Sequence, residues 1–230
     1  MTLAALKSAV LEANIATVRH GLVKATFGNA SAIDRASGRI VIKPSGVPYD
    51  TMTPDQMVVT DLDGTPLDNR LRPSSDLDTH CVLYRAFDQI GAIIHTHSTY
   101  ATIMAQARRP IPPLGTTHAD YFYGTIPVTR DLTREEIAQR YVAATGEVIV
   151  ETVGDSDPLA VPAVLVAGHG PFVWGRSCEE AVLNALILEE VAKMAWHGAA
   201  LDARPQPISQ SLLDRHFLRK HGANATYGQY

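Results

Sequence analysis

The most chemically suggestive part of the sequence is an apolar run, 92–95, that ends on a histidine. A second histidine follows two residues later. In an extended strand, residues i and i+2 point to the same face, so His95 and His97 can present both imidazoles to one cation. His169 ends a second apolar run, 163–168, and is the candidate for a third ligand. Neutral imidazole suits zinc and other late divalent metals. Surface histidines at strand ends are the alternative, but two apolar runs that both end on histidine favour a metal site.

Two turns have the composition of anion-binding sites. The segment KPSG, 43–46, follows a predicted strand, and its Ser-Gly turn exposes backbone N–H groups beside the charge of Lys43. The segment PSSD, 73–76, places two hydroxyls and an acid at a predicted helix N-terminus, where phosphate is favoured. Each turn taken alone is more typical of ordinary turn and capping chemistry. Asp76 remains open between a first-turn acid and a metal carboxylate.

A polar, aromatic loop at 115–128 and the C-terminal tail supply candidate proton carriers. Aspartate, histidine and tyrosine can each exchange a proton with a substrate. The candidates are His118, Asp120, Tyr121 and Tyr123 in the loop, and His216, His221 and Tyr227 towards the C-terminus. A polar tail is more often frayed than functional. The residues alone therefore indicate a metal-using enzyme that binds a small anion.

The elements that must position these residues follow from apolar spacing and turn residues. Strands are predicted at 30–34 and 39–43 as a hairpin, from 57 into an Asp-Gly turn at 63–64, and at 92–95 and 163–168. Helices are predicted at the N-terminus up to Gly21, over 74–87, after a capping Ser98, and over 133–146, 177–198 and 209–222. Capping boxes are predicted from Thr133 to Glu136 and from Ser177 to Glu180. Hairpins mixed with helices predict an α/β fold with a largely antiparallel or mixed sheet covered on both faces.

Composition narrows the class of protein further. The 230 residues are 46% hydrophobic, enough for one sizeable core, and we expect a single domain over 1–230. The formal charge is −4 with scattered Lys and Arg, so neither a nucleic acid nor a membrane surface is the expected partner. The N-terminal 14 residues resemble neither a signal peptide nor a membrane span. Two separated cysteines, Cys81 and Cys178, suit a reducing cytoplasm.

Seven motifs occur in an order that resembles the class II aldolase family, which also includes the adducins. They are FGNASA, VIKPSG, PSSD, HTHS, GTTHADYFYG, HGPFVWG and LRKHGANATYGQ, and the resemblance runs from about residue 3 to the C-terminus. Within the family the set is most similar to the sugar-phosphate 4-epimerases. The resemblance implies a three-layer α/β/α sandwich, a divalent metal of the zinc type (Zn²⁺, or Mn²⁺ or Co²⁺), and a homotetramer with active sites between subunits.

The resemblance also implies a role for each matched residue. The metal ligands would be Asp76, His95, His97 and His169. The substrate and phosphate contacts would be Gly28, Asn29, Lys43, Ser45, Gly46, Ser74, Ser75 and Arg219. Acid–base catalysis would fall to Asp120 and Tyr227 from an adjacent subunit, with His216 close by. The chain departs from the family at Phe27, where Trp is usual, and at Ala167-Gly168, where relatives often have His-Ser.

The implied reaction inverts C4 of a ketopentose 5-phosphate in carbohydrate metabolism, such as arabinose catabolism. C4 bears no acidic hydrogen, so the family's route breaks and re-forms the C3–C4 bond, with the metal as Lewis acid. One rival is a class II aldolase of the fuculose- or rhamnulose-phosphate type, which releases the aldehyde. Those aldolases carry Glu near the position of Asp76, so Asp76 favours the epimerase. The other rival is a non-catalytic, adducin-like scaffold, which the full ligand set disfavours.

Overall fold

A six-stranded antiparallel sheet forms the middle layer of the protein. The chain is described by a computed structural model that covers residues 2–67, 70–222 and 225–226. The sheet order is β3-β2-β1-β4-β6-β5, and every neighbouring pair is antiparallel. The strands are β1 (Gly28–Asp34), β2 (Arg39–Ile42), β3 (Val58–Thr60), β4 (Ala92–Thr96), β5 (Ala163–Leu165) and β6 (Pro171–Gly175).

Helices cover both faces of this sheet. They are α1 (Leu3–Arg19), α2 (Leu77–Ala86), α3 (Thr99–Gln106), α4 (Thr116–Ala119), α5 (Arg134–Val153), α6 (Cys178–Leu201) and α7 (Gln210–His221), with a 3₁₀ turn at Pro54–Gln56. Helices α1, α3 and α6 pack on one face, and α2 and α5 pack on the other. The expected three-layer α/β/α sandwich is therefore confirmed. Within the described ranges, no helix combines the length and apolarity needed to cross a membrane.

Strand alternation divides the interior into two cores. Ile93 and Trp174 belong to the core under α2 and α5, whereas Ile94 and Val173 belong to the core under α1, α3 and α6. Strand β4 is buried along its whole length because both faces are covered. This explains why 92–95 reads as a continuous apolar run, and it makes β4 a rigid support for the histidines at its end.

The predicted capping boxes have different outcomes. At the start of α5, the Thr133 side chain accepts from the Glu136 N–H and the Glu136 carboxylate accepts from the Thr133 N–H, so this box is confirmed. At α6, Ser177 Oγ accepts from the Glu180 N–H at 3.2 Å. The Glu180 carboxylate, however, accepts from the N–H and guanidinium of Arg176. Only half of the second box is therefore present.

Two predicted element boundaries are wrong, and one strand is missing from the prediction. Helix α5 does not end at Gly146 but continues to Val153. A Cβ at Gly146 would lie 2.7 Å from Val82 Cβ, so this glycine allows α2 and α5 to pack closely instead of ending the helix. The strand predicted over 163–168 ends at Leu165, because residues 166–170 form the turn into β6. Strand β6 itself was not predicted.

Candidate functional site

Three histidines meet at one end of the central strands. His95 lies in β4, opposite Asn29 of β1 and Phe172 of β6. His97 follows directly after the end of β4, and His169 lies in the β5–β6 turn, which is closed by a Val166 N–H to Gly170 carbonyl hydrogen bond of 2.9 Å. One ring nitrogen from each histidine lies within 4.8 Å of the other two. The structure thus brings together the three side chains that the sequence predicts to be metal ligands.

Desolvation favours the neutral form of these imidazoles, most strongly at the buried His95, whereas His97 is exposed and His169 is partly buried. Desolvation lowers the pKa of His95 to about 3, and it also lowers the pKa of His97 and of His169, although the charge of Asp76 opposes the effect at each ring. His95 Nδ1 lies 2.9 Å from the Pro171 carbonyl oxygen, to which it donates when Nδ1 carries the proton. That tautomer leaves the Nε2 lone pair of His95 for the cluster. Three neutral, converging imidazoles are a donor set that fits a divalent transition metal.

Two glycines allow the chain to approach the end of β4. A Cβ at Gly28, where φ is +120°, would lie 2.9 Å from the His95 carbonyl oxygen. A Cβ at Gly170 would lie 2.7 Å from the Thr96 carbonyl oxygen. Any larger residue at either position would push β1 or the His169 turn away from the histidines.

Asp76 faces the same cavity as the histidines, from the N-terminus of α2. It occupies the N-cap position, but its side chain makes no capping bond. Its Oδ2 instead accepts a 2.6 Å hydrogen bond from Nδ2 of Asn29. Asn29 is 3% exposed, and its Oδ1 has no hydrogen-bond partner among the described residues. The carboxylate lies outside the compact group of three imidazole nitrogens, although Asp76 lines the same cavity.

The two predicted anion-binding turns are joined to each other. The Ser45 N–H donates to the Arg72 carbonyl and the Ser74 N–H donates to the Lys43 carbonyl, both at 2.9 Å. Lys43 is 3% exposed, and its ammonium donates to the Pro44 and Val47 carbonyls. Burial lowers the pKa of Lys43. Hydroxyls and N–H groups from both turns, with one nearby ammonium, make the composite cradle more specific for an anion than either turn alone.

One cavity of about 400 Å³ contains both features. It is lined by every residue predicted to bind metal, substrate or phosphate except Arg219, namely Gly28, Asn29, Lys43, Ser45, Gly46, Ser74, Ser75, Asp76, His95, His97 and His169. Thr26, Phe27 and Pro44 complete the lining. The Phe27 ring stacks on His97 with centroids 5.8 Å apart and remains 59% exposed. The arrangement can hold a metal and a phosphate at the same time.

Two of the predicted catalytic residues, Asp120 and His216, form a separate group with Arg219 and Lys220. His216 Nδ1 lies 3.0 Å from Asp120 Oδ1, the Arg219 guanidinium lies 3.2 Å from the same oxygen, and Lys220 Nζ lies 3.4 Å from Oδ2. Burial alone would raise the pKa of Asp120, but His216, Lys220 and Arg219 together hold it below its ordinary value. Asp120 is therefore a carboxylate at neutral pH. Neither Asp120, His216 nor Arg219 lines the cavity of the same chain.

The loop that carries Asp120 is fastened to α7. Tyr123 donates a 2.5 Å hydrogen bond to Asp214, and the Tyr123 and Phe217 rings lie 4.8 Å apart. The His221 ring bonds the Asp120 carbonyl at 2.9 Å. The Thr226 N–H donates to the Arg219 carbonyl, which ties the start of the tail to the same helix. Tyr227 lies outside the described residues.

Sequence reasoning missed two residues beside these groups. Lys220 was not considered, although it lies four residues after His216 and on the same helix face, so helical periodicity could have found it. Tyr141 was not considered either; its hydroxyl lies 3.4 Å from Nδ1 of His169. No pattern in the sequence links α5 to the β5–β6 turn.

The fold and the site can be compared with those of known protein families. Residues 8–196 match the family model for the class II aldolase and adducin N-terminal domain. The chain belongs to this family, and its expected fold class is confirmed.

Individual proteins of the family are similar to this chain over almost its whole length. The chain is 53% identical over 224 residues, 97% of its length and 98% of the relative's, to the L-ribulose-5-phosphate 4-epimerase UlaF of Salmonella paratyphi B. It is equally similar to the protein of that name from Salmonella typhi. Among solved structures, an L-fuculose 1-phosphate aldolase superposes with a TM-score of 0.79 at 24% identity, covering 92% of this chain and 94% of the other. The last comparison shows the fold alone.

Proposed function

We propose that this chain is an L-ribulose-5-phosphate 4-epimerase, which interconverts L-ribulose 5-phosphate and D-xylulose 5-phosphate. The observation that carries the proposal is the single cavity with three converging imidazoles beside a composite anion cradle. The similarity over 97% of the chain to proteins of that name supports the choice of substrate. We place the enzyme in the cytoplasm because Cys81 and Cys178 are both free and buried, as suits a reducing compartment.

His95, His97 and His169 would hold a divalent transition metal, with Asp76 as the carboxylate on the same cavity. Zn²⁺ is the ion that neutral imidazole and carboxylate ligands suit best, and Mn²⁺ or Co²⁺ would accept the same set. When bound, the metal supplies Lewis acidity at the C2 carbonyl and C3 hydroxyl oxygens of the sugar. The hydrogen bond from Asn29 fixes the direction of the Asp76 carboxylate.

The composite turn would bind the 5-phosphate. Its groups are the hydroxyls of Ser45, Ser74 and Ser75 and the N–H groups of Gly46 and Ser75, with Lys43, Gly28 and Asn29 around them. Breaking the C3–C4 bond releases glycolaldehyde phosphate as a separate fragment, which must turn before the bond re-forms on its other face. A held phosphate keeps that fragment at high effective concentration while it turns.

Asp120 and Tyr227 would carry the protons, one on each face of the aldehyde. Asp120 is ionised at neutral pH, so it can accept the C4 hydroxyl proton directly. His216, in contact with Asp120, would orient it and share the proton. Arg219, on the same carboxylate, would lie near the phosphate end of the substrate.

These carriers would reach the cavity of an adjacent subunit in a homotetramer. The support is that the Asp120 group lies outside the lining of the cavity in its own chain. A closed ring of identical heterologous contacts lets each chain give one such group and receive one.

Incubation with L-ribulose 5-phosphate tests the proposal. We expect D-xylulose 5-phosphate as the product, formed at an initial rate that is proportional to the enzyme concentration and is abolished by chelation of the metal. Stoichiometric free glycolaldehyde phosphate would indicate an aldolase instead. Protein that purifies without stoichiometric metal and leaves the sugar phosphate unchanged would indicate an adducin-like scaffold.

A further inference from the structure

Tyr141 lies against the outer side of one of the three clustered histidines. Its hydroxyl is 3.4 Å from Nδ1 of His169, and the two rings are 6.2 Å apart with an interplanar angle of 30°. The side chain is 43% exposed. It does not line the cavity, so it cannot touch the substrate there, and its contact with the site runs through His169.

At His95, as at His169, Nδ1 faces a hydrogen-bond partner, but at His95 this partner is a backbone carbonyl. His95 Nδ1 faces the Pro171 carbonyl oxygen at 2.9 Å, which selects the tautomer with a free Nε2. At His169 the group facing Nδ1 is the Tyr141 hydroxyl. The oxygen of that hydroxyl can accept from Nδ1–H, which leaves the Nε2 lone pair of His169 for the cluster. Two of the three histidines are thus oriented from outside the cavity.

The backbone at Tyr141 is held in place by the helix that carries Asp76. Thr79, in α2, donates a 2.6 Å hydrogen bond to the carbonyl of Val142. The Thr145 hydroxyl donates to the Tyr141 carbonyl at 2.8 Å. Helix α5 has non-helical backbone angles at Arg140, immediately before the tyrosine, so it is kinked where it meets the His169 turn. The backbone that carries the Tyr141 side chain is therefore held in place, as a residue that orients a ligand requires.

We propose that Tyr141 is a positioning residue for the metal site, which holds His169 in the tautomer and ring orientation that directs Nε2 at the metal. The proposal rests on the metal-binding part of the proposed function. Hydrogen-bond partners of ligand histidines are commonly carboxylates, backbone carbonyls or water. Here a phenol takes that place at His169, which lies in the β5–β6 turn and is only partly buried.

The test compares Tyr141→Phe with wild-type protein and with Tyr100→Phe. Tyr100 is the matched control because its hydroxyl also faces a histidine nitrogen, Nε2 of His197 at 3.5 Å, away from the cavity. Each protein is purified with metal, stripped, and titrated with Zn²⁺ or Co²⁺ alone against a competing chelator. The unfolding temperature of the metal-free protein and the visible spectrum of the Co²⁺ form are recorded as well.

We expect Tyr141→Phe to weaken metal binding about 10- to 100-fold, the usual effect of removing the partner of a ligand histidine. The Co²⁺ spectrum should change, and the unfolding temperature of the metal-free protein should not. Tyr100→Phe should match wild type in all three measurements. Equal metal affinity in wild type and Tyr141→Phe would overturn the proposal, as would a loss explained by a less stable metal-free protein. Failure of wild-type protein to bind either metal would instead refute the metal site itself.

Discussion

Two inactive variants should restore activity to each other if each active site combines two subunits. The first is His95→Asn, which removes a buried imidazole from the metal cluster. The second is Tyr227→Phe, which removes the proposed proton carrier and leaves all three histidines in place. General acid–base groups typically contribute about 10²- to 10⁴-fold to the rate, so the second variant alone should be nearly inactive.

The activity expected of the mixed oligomers depends on which residues each chain contributes to a site. Asp120 is held by α7, and Thr226 is bonded to Arg219 of that helix, so Asp120 and Tyr227 should be presented by the same subunit. In a randomly mixed ring, a site is intact when the chain supplying histidines is the tyrosine variant and its neighbour is the histidine variant. Each condition holds for about half of the chains, so about a quarter of the sites should be intact.

The assay uses co-expression of the two variants with different affinity tags. Tandem purification isolates oligomers that contain both chains, and their epimerase rate is compared with wild type and with each parent. We expect roughly a quarter of the wild-type rate. Because every chain carries one lesion, sites built within single subunits would all be defective. Mixed oligomers no more active than their parents would therefore refute the intersubunit site.

Three further predictions concern the site and its support. His97→Asn should lower both the metal content of the purified protein and its turnover, and full occupancy at full rate would contradict the ligand assignment. Gly28→Ala should cost about 1–3 kcal/mol in urea unfolding, because φ is +120° and the new Cβ would meet the backbone of His95 at 2.9 Å. Gly198→Ala is the control, since a Cβ there meets nothing and the helix should be unchanged or slightly more stable. Burial lowers the pKa of His80 from 6.5 to about 4, so the unfolded state binds the proton first and stability should fall as the pH drops from about 6.5 towards 4. His80→Asn should reduce this loss in metal-free protein, and an identical pH dependence in both proteins would exclude His80 as its source.

Short-range patterns were enough to predict part of the site. His95 lies in β4 and His97 follows directly after its end, and the two-residue period of an extended backbone places both on one face. The motifs KPSG and PSSD carry their own turn and capping chemistry, so their anion-binding character could be predicted from composition. What joins the two motifs is a pair of backbone hydrogen bonds between segments about 30 residues apart, and local spacing does not specify those bonds.

Long-range packing explains what the sequence did not predict. Gly146 reads as a helix end, but its contact with Val82 lets the helix continue. Strand β6 has only five residues and is buried along its length, so it shows no alternation of apolar and polar residues. Tyr141 meets His169 only because α5 is kinked and held against α2.

The two halves of the proposed site differ in how their positions are fixed. The metal ligands and the phosphate cradle belong to one chain, joined by β1, β4 and α2, so the distance between them is set by a close-packed core. The Asp120 group is built on a loop and on α7, and its distance from the metal would be set by a subunit contact. This division would suit the proposed reaction, because one fragment would stay anchored while the aldehyde of the other turns between the two proton carriers. The rigid half would hold the phosphate and the metal at constant spacing, while the intersubunit half would place a carrier on each side of the turning aldehyde.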